Sequence, residues 1–185
     1  MPQFQAVSVA DAAALTLLTE YFRSPELSFR QAQGTYHPTY PLAEQFVPPH
    51  GVFLVVLDEK DDRADDASGP YVGCGGIRRL ENAEKEPVRF EIKHLWMQPS
   101  ARGRGWGRML LAELEHRAAH LGAAEVVLDT NVSLATAGAL YQSTGYESIP
   151  AYNDNPNATH WYRKRLSANE RQRKLTSART NVSAS

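Results

Sequence analysis

The chain is 185 residues long, 42% hydrophobic and 22% charged, a balance that excludes a disordered or fibrous polypeptide and fits one soluble globular domain. Lys plus Arg number 20 against 21 for Asp plus Glu, a formal charge of -1, so no global positive field argues for nucleic acid as the main partner. Cys74 is the single cysteine, which excludes an intramolecular disulfide framework and a multi-cysteine zinc site. Met1-Pro2-Gln3-Phe4-Gln5 lacks a cationic segment followed by an apolar one, and the longest aliphatic run, Val52 to Leu57, is too short to cross a bilayer. The expectation is a cytoplasmic protein with no membrane partner.

Ser8-Val9-Ala10-Asp11 reads as a capping box, and the Ala/Leu-rich run through Tyr21 repeats apolar residues at helical spacing. Ser24-Pro25 starts a second, shorter helix, after which Pro38, Pro41, Pro48 and Pro49 break the chain into an irregular flap. Val52 to Leu57 and Tyr71 to Leu80 read as strands joined by an acidic connector that lacks the glycine and ligand spacing of a calcium loop. Val88 to Met97 is a third strand, whose alternation puts Glu91, Lys93, Leu95 and Met97 on one side and His94 on the other.

From about Gly105 to Leu121 a helix is patterned by Met109, Leu110, Ala112, Leu114, Ala118 and Leu121 and ended by Gly122. A strand at Val126 to Leu128, a helix ending at Gly145 and a strand from Trp161 to Leu166 complete the predicted elements. Residues 1–166 form one domain on this reading, and 167–185 a polar basic tail.

The chemistry concentrates in Gln98-Pro99-Ser100-Ala101-Arg102-Gly103-Arg104-Gly105-Trp106-Gly107, between a strand and a helix. Alternate glycines can aim several N–H groups one way, and a helix start adds unpaired donors and a positive dipole end, so the segment suits a pyrophosphate. The Gly-Lys-Ser/Thr ending of a P-loop is missing, and the spacing of a dinucleotide fingerprint does not fit. A tight turn with no ligand would use the same glycines, and the loop alone leaves both readings open.

Arg102-Gly103-Arg104-Gly105-Trp106-Gly107 resembles the Q/R-x-x-G-x-G/A loop of the GNAT superfamily of N-acetyltransferases. Ala137-Gly138-Ala139-Leu140-Tyr141-Gln142-Ser143-Thr144-Gly145-Tyr146 is similar to that superfamily's A-x-x-L-Y-x-x-x-G-F/Y segment, in the right order and at the right separation. Gly73-Cys74-Gly75, Glu91-Ile92-Lys93 and Leu128-Asp129-Thr130 resemble a small bacterial branch of it.

The resemblance implies an α/β fold with a mixed, mostly antiparallel central sheet flanked by helices, and an acetyl-CoA co-substrate with no metal. It implies further that the main chain of Leu95, Trp96 and Met97 pairs with the pantetheine arm, and that Arg102, Gly103, Arg104, Gly105, Trp106, Gly107 and Arg108 hold the pyrophosphate. Glu91, eleven residues before Arg102, takes the position of a general-base glutamate and Tyr141 that of the acid that protonates the leaving thiolate; the alternatives are a structural ion pair of Glu91 with Lys93 or a nearby arginine, and a core tyrosine bonded to a backbone carbonyl. Leu134 stands where many members carry a cofactor-contacting asparagine, so that contact is missing or is supplied by Asn131.

The implied acceptor is a small-molecule or peptide amine, with Tyr36, His37, Tyr40, Tyr152 and Asn155 as lining candidates. His116 and His120 lack a zinc-protease glutamate pattern, and no metal role is expected of them. Pairing through the last strand would make a homodimer. The rival reading is a non-enzymatic acyl-CoA-sensing or nucleic-acid-associated module that uses Arg163, Lys164, Arg165, Arg171, Arg173 and Lys174.

Overall fold

A computed structural model describes residues 1–27, 36–58, 70–81 and 86–167. The acidic connector beyond Asp58 and the tail from Ala168 lie outside the described residues. Seven strands are present: β1 (Pro2–Val7), β2 (Gly51–Asp58), β3 (Tyr71–Arg79), β4 (Arg89–Met97), β5 (Glu125–Thr130), β6 (Glu147–Ile149) and β7 (His160–Arg165). They form one sheet in the order β1-β2-β3-β4-β5-β7-β6, in which β4 with β5 is the parallel pair and the other pairs are antiparallel. The mixed, mostly antiparallel α/β architecture implied by the sequence is therefore the one that forms.

Helices cover both faces. α1 (Ala12–Arg23) buries Ala14, Leu17 and Leu18 with Phe53, Val55, Cys74 and Trp96. α2 (Trp106–His120) buries Leu110, Leu111, Leu114 and Ala118 against the other face, with Leu54, Val56, Ile77, Phe90 and Ile92. β2 thus feeds two cores by strand alternation, which is why its run is apolar without interruption. Each fully buried leucine contributes about 2 kcal/mol by area. α3 (Ala135–Ser143) follows β5 and carries Tyr141.

The capping box closes a turn ahead of the helix: Ser8 N donates to Asp11 Oδ2 at 3.1 Å, and α1 begins after Asp11. Pro25–Leu27 is a single 3-10 turn started by Glu26 N donating to Ser24 Oγ at 3.3 Å. β1 and β6 were not legible. β1 is an edge strand with two glutamines among six residues, and β6 has three residues, so both are defined by their partners β2 and β7.

β4 departs from simple alternation. His94 has φ 56°, and the pairing with β3 slips between Cys74 and Gly76, the signature of a β-bulge. Glu91 and Lys93 lie on the α1 side with Arg78, the cross-strand partner of Glu91, whereas Leu95 and Met97 pack with the α2 core. The extra residue reverses the alternation, so the single face expected for Glu91, Lys93, Leu95 and Met97 does not exist. His94, expected to face away from Glu91, shares its side and meets Tyr21, Phe22 and Phe46. Gly76 makes room there, since a Cβ on it would come within 2.6 Å of the Phe46 ring.

β4 and β5 also part company. Their pairing is confined to Arg89↔Glu125, Phe90↔Val126 and Glu91↔Val127, after which β5 continues with β7. From Ile92 to Met97 the β5-facing edge of β4 has no strand partner among the described residues.

Candidate active site

The wedge between the parted strands is part of a cavity of about 910 Å³. At its mouth lies the turn 102–105. Gly103 and Gly105 have φ of 74° and 77°, left-handed values that a side chain would strain, and Gly105 leads directly into α2. No side chain caps that helix start, so its first amides and those of the turn are available to an anion.

The three arginines of this segment differ. Arg104 stacks on Trp106, with the guanidinium carbon 3.8 Å from the ring centroid, and donates to Asp58 Oδ2 at 2.7 Å. Arg102 donates through Nε to Met97 O at 2.9 Å and pairs with Glu26 of the 3-10 turn. Arg108 reaches Ser143 Oγ at 2.8 Å, at the end of α3. Arg102 and Arg108 line the cavity together with Gly103, Gly105, Trp106 and Gly107, whereas Arg104 points its charge at Asp58.

The main chain of β4 is polarised by its ladder. Gln98 N donates to Val72 O at 2.8 Å, so antiparallel alternation directs Trp96 toward β3 and the amide groups of Met97 toward the open edge. The Arg102 bond to Met97 O sits on that edge. Tyr141 faces the cavity from α3, packed beside Tyr146 and Tyr162 at centroid distances of 5.8 and 6.0 Å. Burial, then the nearby Asp129 carboxylate, pushes its phenol above the ordinary value, so it stays protonated at neutral pH.

Glu91 is 0% exposed, and both of its oxygens are engaged. Oε2 accepts from Arg78 Nε at 2.7 Å. Oε1 accepts from Tyr152 OH at 2.8 Å, Asn153 Nδ2 at 3.2 Å and Lys93 Nζ at 3.3 Å. These donors exhaust the roughly four acceptor positions of a carboxylate. Glu91 is not part of the cavity wall; Lys93, which it contacts, and Asp129, which Lys93 contacts, are. Lys93 Nζ bridges on to Asp129 Oδ2 at 3.2 Å, and Trp161 Nε1 holds Asn153 Oδ1 at 2.8 Å.

Of the residues expected to line the acceptor site, Tyr36, Tyr40 and Asn155 reach the cavity. Tyr152 lies behind it on Glu91, and His37 is fixed through its main chain by Asn157, with N–H to Oδ1 at 2.9 Å. Asn131 is buried, its amide committed to Asn157 O at 2.9 Å and to Ser133 N at 3.0 Å, so it holds a loop together. Cys74 is buried and donates to His94 O at 3.7 Å, its thiol pushed up by burial and by Glu20.

A family model described as the Acetyltransferase (GNAT) family matches residues 14–146. The chain belongs to the GNAT acetyltransferase family. It is 32% identical over 112 residues to an uncharacterized N-acetyltransferase of Schizosaccharomyces pombe, covering 60% of this chain and 61% of that protein. It is 39% identical over 79 residues to an IAA acetyltransferase of Azospirillum brasilense, covering 43% of this chain and 49% of that one. The matched stretch is therefore less than two thirds of either relative.

Among solved structures, one described as an acyl-CoA N-acyltransferase of Klebsiella pneumoniae superposes with a TM-score of 0.65 at 23% identity, covering 90% of this chain and 99% of that one. A phosphinothricin acetyltransferase of Sinorhizobium meliloti, solved with acetyl-CoA, gives a TM-score of 0.62 at 22% identity, covering 90% and 89%. These likenesses establish the GNAT fold.

Within this GNAT fold the ion pair of Glu91 with Lys93 and a nearby arginine, Arg78, is the one the sequence offered as the alternative to catalysis, whereas Asp129, Asn153 and His94 were not foreseen as lining the same floor. Asp129 had a signal, since it ends an apolar strand run. The choice of Arg78 as that arginine and the place of His94 had none, because they depend on cross-strand register and on the bulge. Two of the three basic residues of β7 are paired, Arg163 with Glu147 at 2.6 Å and Lys164 with Glu115 at 2.6 Å, which removes two charges from the nucleic-acid reading.

Proposed function

We propose that the protein is an acetyl-CoA-dependent N-acetyltransferase that transfers the acetyl group to a primary amine by direct attack in a ternary complex. What carries the reading is the parting of β4 from β5 with a left-handed glycine turn and an uncapped helix start at its mouth. The amides of Gly103 to Arg108 would bind the pyrophosphate through main-chain N–H groups, which need no side-chain charge. The open edge of Leu95 and Met97 would pair with the pantetheine arm, with Trp96 contributing to the wall. Acetyl-CoA supplies the thioester carbonyl, and the Met97 amide is the donor for the oxygen that gains charge there.

Tyr141 gives its proton to the departing sulfur from its place on the cavity wall. Glu91 serves the amine at one remove: it fixes Lys93, Tyr152 and Asn153, and Lys93 and Asn153 in turn hold Asp129, the cavity-lining carboxylate that takes up the amine's proton. The test is free-thiol release from acetyl-CoA with a broad amine panel, alongside calorimetric binding of coenzyme A. Tyr141→Phe is expected to lower kcat about 100-fold with coenzyme A affinity unchanged. Equal turnover by the variant removes Tyr141 from the chemistry.

A further inference from the structure

The acceptor end of the cavity has a polar floor and an aromatic wall. Asp129 lies two residues beyond the last β4–β5 pair, where β5 has left β4, and lines the cavity with its side chain 8% exposed. Lys93 Nζ at 3.2 Å, Asn153 Nδ2 at 2.7 Å and Asn155 Nδ2 at 3.1 Å orient it in advance. Lys93 Nζ straddles both oxygens, at 3.3 and 3.2 Å, while Asn153 and Asn155 take one oxygen each, so an incoming amine takes a place that Lys93 now shares.

The cations of the floor are committed. Arg78 binds Glu91 at 2.7 Å and Gln45 Oε1 at 3.1 Å, and Lys93 is shared between Glu91 and Asp129. His94 adds no charge at neutral pH, because burial together with Lys93 and Arg78 pushes its imidazole down to about 3. Among the described residues this end of the cavity therefore balances Glu91 and Asp129 with Arg78 and Lys93, turns the Asp129 carboxylate to the cavity and offers no cation unclaimed by a carboxylate.

Above the floor the wall is apolar. Phe46 and Tyr21 lie 6.2 and 6.0 Å from the His94 ring, and Phe22 joins His94 to Tyr40 at centroid distances of 5.6 and 4.7 Å. Tyr40 and Leu42 line the cavity while 53% and 56% exposed, apolar surface that a ligand body would cover.

We infer that the acceptor is a primary amine carried on an apolar body of aromatic size and bearing no acid group, its nitrogen held by Asp129 and its body against Tyr36, Tyr40, Leu42 and Phe46. This rests on the transferase reading above. A carboxylate on the acceptor would sit beside Asp129 without a counter-ion, an arrangement that costs affinity.

The probes are phenethylamine, phenylalanine, which is the same body with a carboxylate, and ethylamine, which lacks the body. Thiol release from acetyl-CoA is expected to give phenethylamine a kcat/KM at least about tenfold above each of the others. Asp129→Asn is expected to raise the KM for phenethylamine about 30-fold, with coenzyme A affinity by calorimetry unchanged. Because Asp129 also holds the floor together, Tyr40→Ala at an exposed position tests the wall separately, lowering the preference for phenethylamine over ethylamine about fivefold.

Equal or better turnover of phenylalanine overturns the inference. So does an unchanged KM in Asp129→Asn, or silence with all three probes. If other amines in the broad panel still release thiol, the transferase reading stands and only this acceptor class is rejected. Silence across the panel without coenzyme A binding rejects the transferase reading itself.

Discussion

The two ends of the cavity are built by different means. The end near α2 is made from consecutive residues, Arg102 to Arg108, whose main chain is shaped by two glycines and a helix start. The opposite end is made from side chains of separate elements: Arg78 on β3, Lys93 and His94 on β4, Asp129 on β5 and Asn153 and Asn155 after β6. A site that recognises its ligand through backbone amides tolerates many side chains and can be carried by one short segment. A site made of convergent side chains depends on every strand register between them, so one bulge at His94 decides which groups meet.

This contrast predicts separable failures. The largest effect is expected from Glu91→Gln, which leaves Arg78 and Lys93 short of a buried counter-charge. Stability should fall by about 3 kcal/mol in urea unfolding while coenzyme A affinity holds, because the turn 102–105 is built independently. Loss of coenzyme A binding at full stability would show instead that the two ends are one unit.

Gly105→Val tests the other end. A β-branched residue at φ 77° is strained, and coenzyme A affinity should drop by about 2 kcal/mol in calorimetry. Thermal stability should change less than in Glu91→Gln.

The smallest effect sharpens the role of the bulge. The His94 imidazole has an ordinary value of 6.5 when unfolded and about 3 when folded, so the unfolded chain takes up the proton first as pH falls. The His94 contribution is fully present above pH 6.5 and is lost as pH falls toward 3, with a slope of at most about 1.4 kcal/mol per pH unit. His94→Asn, which tolerates the left-handed backbone, should flatten that part of the urea-midpoint profile, and an unchanged profile would assign the acid sensitivity elsewhere.

The sequence by itself determined the elements with strong local signals. These are the apolar run of β2, the α2 pattern ended at Gly122, and the glycine turn with the Leu140-Tyr141 segment that identify a GNAT chain. Their physics is local: periodicity, helix ends and backbone conformations that glycine alone adopts without strain.

Only the tertiary structure decided the faces of β4, the burial of Glu91 behind Lys93, and the exposure of Asp129 to the cavity. Those facts follow from one extra residue in a ladder and from where two strands part. Each is a relation between segments far apart in the chain, which no window of sequence contains.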